Sequence, residues 1–230
     1  MTAAGGTITL LVGAVLMRLT LTGTYERYVR VGMGPWLAVA GIVVIVVGLV
    51  TLLQAVRRVP AVDAHHHEHE HGIGVGWLLL APVAALLLVA PPTLGSYGVA
   101  RGAAVDVRQG APVFDPLPHG APPRPMTLLE YGQRAFDHNG ASFRRVPVEL
   151  SGFVSGPADG GFQLARYQIA CCAADAVPVV VHVVGTAGDT PSSDQWVTVT
   201  GTFVPGGGGD VPLIRATSVA EIAAPNDAYE

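Results

Sequence analysis

The sequence contains no lysine. All 13 basic residues are arginine, which reads as the coding bias of a GC-rich genome and not as chemistry. Charge of either sign is scarce: 13% of the 230 residues are charged, where an ordinary soluble domain carries about 25%. That deficit argues against a wholly water-soluble protein. Thirteen basic against 17 acidic side chains leave a net charge of −4, which excludes a polybasic nucleic-acid binder. Cysteine is limited to the adjacent pair Cys171 and Cys172, too few and too close for a disulfide scaffold. There is no Ser/His/Asp set, no HExxH helix and no phosphate-binding glycine loop, so an enzyme is not expected. What the chain has instead is 50% hydrophobic residues and a mean hydropathy of +0.45. Its 29 glycines and 18 prolines make it turn-rich, yet it is too apolar to be disordered.

The hydrophobicity is concentrated at the front, in an expected transmembrane region over residues 1–95. Trp36 to Val56 runs 21 residues without a charge, enough to cross roughly 30 Å of hydrocarbon as a helix. Trp36 stands where an interfacial aromatic belongs, and Arg57 and Arg58 end the run. Gly74 to Ala90 is a second candidate, kinked by Pro82 and terminated by Pro91 and Pro92. Ala3 to Thr24 is a third, interrupted by Arg18, which can snorkel to an interface. It lacks the basic leader and the cleavage site of a signal peptide. About three helices are therefore expected, in a multi-pass membrane protein. Arg57 and Arg58 favour a cytoplasmic loop after the second span and an extracytoplasmic C-terminal half, with Arg27 and Arg30 weighing against that orientation.

Within the loop 61–72 lies a run of His65, His66, His67, Glu68, His69, Glu70 and His71. Neutral imidazoles suit zinc, nickel and copper, and the carboxylates add oxygen ligands. Such a run can wrap a metal but supplies no fixed geometry, and a solvated spacer between two hydrophobic arms is the plainer reading.

After the spans the character changes. Residues 96–145 are rich in glycine, proline and small side chains, as in a tether. They close with a short helix whose start is marked by Thr127 and Glu130, a capping-box pair, and whose end falls near Asn139-Gly140. Residues 146–230 carry strand periodicity over 146–154, 161–169, 177–184, 196–204 and 211–222, with Gly/Pro clusters between. Five short strands fit a small all-β, OB-like barrel, with Gly152 and Gly201 as bulges where the strands bend. Such a barrel invites a nucleic-acid reading. From Ser96 onward, however, eight arginines face nine aspartates and four glutamates, and no basic groove with stacking aromatics is present.

Any chemistry of the barrel falls on Arg166 to Ala176, where a strand delivers Cys171 and Cys172 to a loop of small residues. As thiolates the pair can bind a soft or borderline metal, with Asp175 or a histidine completing the shell. His138 and His182 are the in-domain histidines. A vicinal disulfide used as a redox switch is a second option, although joining adjacent cysteines strains the peptide between them. Two packed, inert thiols are a third. Arg166 would lower a thiol pKa if it faced the pair.

The order of apolar spans, PPTLGS (91–96), GFVS (152–155), RYQIACCAADA (166–176), WVTVTGTF (196–203) and VPLIRATSV (211–219) resembles the YcgQ-like bacterial membrane proteins. The resemblance covers most of the chain, and the paired cysteines followed by Ala-Ala-Asp-Ala are its most specific part. It implies a permease subunit working beside a larger multi-span partner, and its motif falls on Arg166, Cys171, Cys172 and Asp175. Two functions follow as expectations. One is an accessory subunit that handles a transition metal such as zinc, through Cys171, Cys172 and Asp175 and through His65, His66, His67, His69 and His71. The other is a non-transport envelope protein whose barrel binds a protein partner or senses redox state.

Overall fold

The computed structural model describes residues 3–57, 94–102, 104, 113–120, 122–185, 190–206 and 209–230. The expected span at Gly74–Ala90 and the His-rich run at His65–His71 lie outside the described residues. The chain divides into a helical unit, Met1–Tyr25 with Val31–Pro92, and a β unit, Glu26–Arg30 with Thr93–Glu230.

In the helical unit, α1 (Ala3–Leu21) packs along α2 (Gly34–Arg57). Gly34, Gly41 and Gly48 recur every seventh residue and, with Thr51, are the buried positions of α2. Seven residues are nearly two helical turns, so these glycines share one face. At Gly41 and Gly48 the missing side chains let the backbones approach closely, the usual device of apolar helix pairs, whereas Gly34 packs against the Tyr25 ring. A Cβ on Gly48 would stand 2.7 Å from the Leu10 backbone nitrogen, and one on Gly13 2.7 Å from Ile45 Cγ1. The opposite face carries exposed Val39, Ile42, Val43, Val46, Val47 and Val50. Among the described residues one helical stretch, Val31–Arg57, is long and apolar enough to cross a membrane, whereas the apolar part of α1, Gly5–Leu21, is shorter.

The β unit is a closed barrel of five strands: β1 (Val148–Ala158), β2 (Gly161–Gln168), β3 (Val177–Val184), β4 (Trp196–Val204) and β5 (Leu213–Glu221). The strands run β1-β2-β3-β5-β4 and return to β1. All neighbours are antiparallel except β3 and β5, which pair in parallel from His182↔Leu213 to Val184↔Arg215. Closure depends on β1, which pairs with β4 over Val148–Phe153 and with β2 over Phe153–Ala158. Gly152 sits beside this change of partner, where a Cβ would lie 2.6 Å from the Ala165 carbonyl oxygen. The Gly156-Pro157 pair, read from sequence as a break, lies inside β1 instead. A register shift between Val154 and Gly156 absorbs the extra residue and lets the strand continue to Ala158. The shift expected at Gly201 is present, between Thr200 and Gly201, whereas Gly152, expected as a bulge too, keeps regular register opposite Val197.

Because β2 joins β1 only from Phe153 onward, the first half of β1 and the last residues of β2 splay apart. Two segments occupy the gap. Arg124–Pro125 pairs in parallel with Val148 and Glu149. Tyr229 lies beside Tyr167, with the Glu230 amide donating to the Tyr167 carbonyl at 2.9 Å and the Ile169 amide to the Glu230 carbonyl at 3.1 Å. The stretch read as a tether is thus partly structural, and Leu117 within it is 1% exposed.

The helix α3 (Leu128–Phe136) covers the barrel core with Leu128, Tyr131 and Ala135. Burying each large side chain contributes roughly 1.5–3 kcal/mol. Tyr131 also donates its hydroxyl to the Leu213 carbonyl at 2.6 Å, so its polar end is satisfied. Thr127 caps the helix as expected, accepting from the Glu130 amide at 3.0 Å. Glu130 does not complete the capping box, because Arg134 one turn on takes its carboxylate at 2.8 Å. Asp137–Phe143 then turns through left-handed backbone at His138, Asn139 and Gly140. Gly140 has φ +74°, and a Cβ there would overlap the Phe203 ring. Gly140→Ala combines left-handed strain with overpacking and is expected to destabilise the barrel by about 2–4 kcal/mol. Urea titration of the full chain, read by proteolysis of the barrel, measures it.

Candidate metal centre

The loop between β2 and β3 is built by one aspartate. Asp175 ends a single 3-10 turn, Ala173–Asp175, and folds its carboxylate back over the residues before it. Oδ1 accepts from the Ala170 amide at 2.9 Å, and Oδ2 from the Cys171 amide at 2.9 Å and the Cys172 amide at 3.4 Å. A carboxylate that close to Cys171 also takes its thiol, with Sγ donating to Oδ2 at 3.0 Å. Cys172 Sγ stands 3.7 Å from Cys171 Sγ and accepts from the Asp175 amide. Both cysteines are free thiols, Cys171 exposed and Cys172 half-buried.

The far side of the loop is held by a segment distant in sequence. Val29 pairs with Cys172 in an antiparallel bridge. The Arg30 amide donates to the Cys171 carbonyl at 3.1 Å, and the Ala173 amide to the Tyr28 carbonyl at 2.7 Å. Tyr229 fixes the same segment by donating its hydroxyl to the Arg27 carbonyl at 2.9 Å. Beneath the loop, Ala173 and Ala176 pack on a second core cluster that includes Phe153, Tyr167 and Trp196. The backbone carrying the sulfurs is therefore pinned on three sides while the side chains face solvent.

Of the residues expected to act together, Cys171, Cys172 and Asp175 converge, with their ligand atoms within 4.8 Å of one another. Arg166 is placed elsewhere. Its guanidinium donates to the Asp227 carbonyl at 2.7 Å, lies 3.9 Å from the Glu230 carboxylate and sits 5.7 Å from the Trp196 ring centroid. Glu230 in turn accepts from the Leu128 and Leu129 amides at the start of α3, and burial pushes its carboxyl pKa up. Arg166 thus staples the C-terminal segment to β2. His138 pairs with Asp137 at 2.6 Å, and half-buried His182 lies in β3 opposite Gln163. Neither joins the cluster. His65, His66, His67, His69 and His71 lie outside the described residues.

The donor set fits a thiophilic divalent ion. In a tetrahedral zinc site with bonds of about 2.3 Å, two sulfurs stand about 3.8 Å apart, close to the 3.7 Å between Cys171 and Cys172. A sulfur and a carboxylate oxygen stand about 3.5 Å apart in such a site, against 3.0 Å here. Removal of the shared thiol proton and an opening of about half an ångström would seat an ion. Three donors leave a fourth position open.

The proton between Cys171 and Asp175 shapes both groups. The hydrogen bond to Asp175, followed by the contact with Cys172, pushes the Cys171 thiol up to about 11. The same bond, with the backbone amides, holds Asp175 down to about 2. At neutral pH the thiol is protonated and the carboxylate ionised. Alkylation requires thiolate, so in a Cys172→Ser background the Cys171 rate should rise about tenfold per pH unit through the neutral range. Asp175→Asn removes the first cause of the shift. Relaxing about two units raises the thiolate fraction near pH 8 roughly a hundredfold, and the lower nucleophilicity of the weaker base takes back about tenfold. A net acceleration of about tenfold, read with iodoacetamide, is expected.

Two family models match the chain. The DUF1980 N-terminal domain covers residues 6–101 and the DUF1980 C-terminal domain covers residues 133–230. No curated protein matches it. The C-terminal match takes in the whole barrel and the Cys171–Asp175 loop, the N-terminal match α2 and all but the first three residues of α1, and the chain belongs to the DUF1980 family.

Proposed function

We propose that the chain is an accessory subunit of a membrane permease whose barrel receives a transition metal, zinc first among them, and hands it on through Cys171, Cys172 and Asp175. The observation that carries this reading is the convergence of two sulfurs and a carboxylate oxygen within 4.8 Å on a backbone-pinned, solvent-facing loop. A structural zinc site is closed by four protein ligands, whereas three donors with an open position suit exchange. The apolar helices supply the anchor. In this reading they are part of a multi-pass region, with a third span at Gly74–Ala90, in the cell membrane of a bacterium. The barrel lies on the extracytoplasmic side, and a larger multi-span subunit forms the conduction path, as the resemblance to YcgQ-like proteins implies. The His-rich run would concentrate the ion near the membrane.

The strand order and the parallel β3–β5 pair favour an OB-like architecture for the barrel. The acidic excess of this half of the chain disfavours nucleic acid as its ligand. Redox sensing is the second reading, resting on the 3.7 Å between free sulfurs. It is the weaker one, because redox-sensing thiols are acidic and Cys171 is pushed the other way.

The test uses the full chain in detergent, reduced and loaded with cobalt(II). Cobalt bound to thiolate gives a sulfur-to-metal charge-transfer band to which imidazole ligands contribute nothing. The band is expected in the wild type with one equivalent of metal and absent in Cys171→Ser/Cys172→Ser. Its absence from the wild type, or equal metal uptake by the double variant in a chain lacking the five loop histidines, overturns the reading.

A further inference from the structure

A cavity of about 620 Å³ opens beside the first core cluster, away from the cysteine loop, which packs on the second. Its lining includes Asn139, Phe143, Arg144, Arg145, Thr202 and Phe203. The backbone around it is strained to a degree seen nowhere else among the described residues. Five non-glycine residues among those described have positive φ, and four of them lie here: His138 at 47°, Asn139 at 55°, Arg144 at 48° and Arg145 at 62°. Asparagine tolerates this region, but two consecutive arginines do not enter it without cost. Strain of this kind persists where the surrounding fold imposes it, and it gathers at ligand sites. The imposing contacts are local: Phe143 is buried, and the Val146 amide closes the turn on the Phe143 carbonyl at 2.8 Å.

The consequence is that two arginines on successive residues line one cavity. Both are exposed, and neither has a hydrogen-bond or ion-pair partner among the described residues. The nearest acid in sequence, Glu149, lies in β1 opposite Thr200, and Asp137 on the other side is engaged by His138 at 2.6 Å. Two cations that line one cavity without a paired acid favour an anion within it. The guanidinium fork matches phosphate oxygens. Below the arginines, Phe143 and Phe203 stack at 4.9 Å between ring centroids, 19° from parallel, and give the cavity an apolar floor. Its volume lies in the range of about 300–1,000 Å³ that holds organic ligands, well beyond what a bare inorganic anion fills.

We propose that this cavity binds a phosphate group carried on an apolar body, with Arg144 and Arg145 taking the phosphate and the Phe203 side of the cavity taking the body. The proposal is independent of the metal centre. The phosphate chemistry is shared by soluble organic phosphates and anionic phospholipid headgroups, and the experiment separates them.

The full chain in a neutral maltoside detergent is titrated against 1-naphthyl phosphate, read by fluorescence anisotropy. Saturable binding is expected, with inorganic phosphate competing only at concentrations at least tenfold higher. Arg144→Asn/Arg145→Asn should weaken naphthyl phosphate binding by tenfold or more. Asparagine accepts the left-handed backbone, so this variant should melt at or above the wild-type temperature, and a loss of binding then reports the cations and not the fold. Phosphatidylglycerol added to the micelles should displace the probe if the source is a headgroup. If it does not, the site takes a soluble phosphate. Equal binding by wild type and the double asparagine variant, or no saturable binding by the wild type, overturns the proposal.

Discussion

Replacing Cys171 and Cys172 together by serine is expected to lower the affinity of the barrel for zinc at least a thousandfold. Two of the three converging donors are sulfur, and thiolate is the ligand that distinguishes zinc or copper(I) from the magnesium and calcium around them. A serine hydroxyl is a poor neutral donor at the same position. Changes that only disturb the orientation of a ligand cost roughly 10–100-fold, so removing two ligands outright should cost more. Asp175→Asn should fall between, at about 10–100-fold, since the amide oxygen can still ligate but brings no charge. None of these changes should unfold the barrel. Cys171 is exposed and Cys172 half-buried, and serine differs from cysteine by one atom. Zinc competition against a chromophoric chelator, in a chain whose five loop histidines are replaced, gives the number. A loss of less than tenfold in the double serine variant would show that the sulfurs are packing groups.

Phe153→Ala is the substitution expected to cost the fold most, at about 3–5 kcal/mol. Phe153 is 2% exposed and sits at the residue where β1 passes from β4 to β2. Its ring stacks on Tyr167 at 5.8 Å between centroids and meets the edge of Trp196 at 5.7 Å. Truncation leaves a cavity under both aromatics, at the point where the pairing of the barrel is least redundant. At about 1.4 kcal/mol per decade, the folded-to-unfolded ratio should fall between a hundredfold and several thousandfold. Pulse proteolysis of the full chain in urea measures the shift in midpoint. Ala173 and Ala176 rest on the same cluster, so the variant should also broaden the cobalt–thiolate band before the barrel unfolds.

Two strands were legible in the sequence to the residue. Val177–Val184 and Trp196–Val204 have the same bounds when read from the pattern and in three dimensions. The second alternates valine with threonine, and the first is a nearly continuous β-branched run bounded by turn residues. β1 was misjudged at both ends, because Gly156-Pro157 has the composition of a turn while the bulge before it lets Pro157 stand opposite Phe162. The Cys171–Cys172–Asp175 constellation was legible because a loop this short brings a residue four positions on back over its start. The role of Arg166 was not. Alternation along β2 leaves its facing open, and its partners at Asp227, Tyr229 and Glu230 lie some 60 residues away in sequence. The clamp of Tyr28–Arg30 on the cysteine loop is hidden for the same reason. The seven-residue recurrence of glycine in α2 was visible in the letters and reveals its meaning only against α1.

The return of β1 onto both β2 and β4, with Arg124–Pro125 and Tyr229 wedged where those ladders part, bears on how anything else can grip this domain. Sheet proteins often recruit peptides, or one another, by offering a bare rim of amide and carbonyl groups that a visitor completes. At this gap between β1 and β2 that invitation is withdrawn. Whatever docks at that gap must be chosen by turns and side chains, and a lone extended segment should slide past it without purchase.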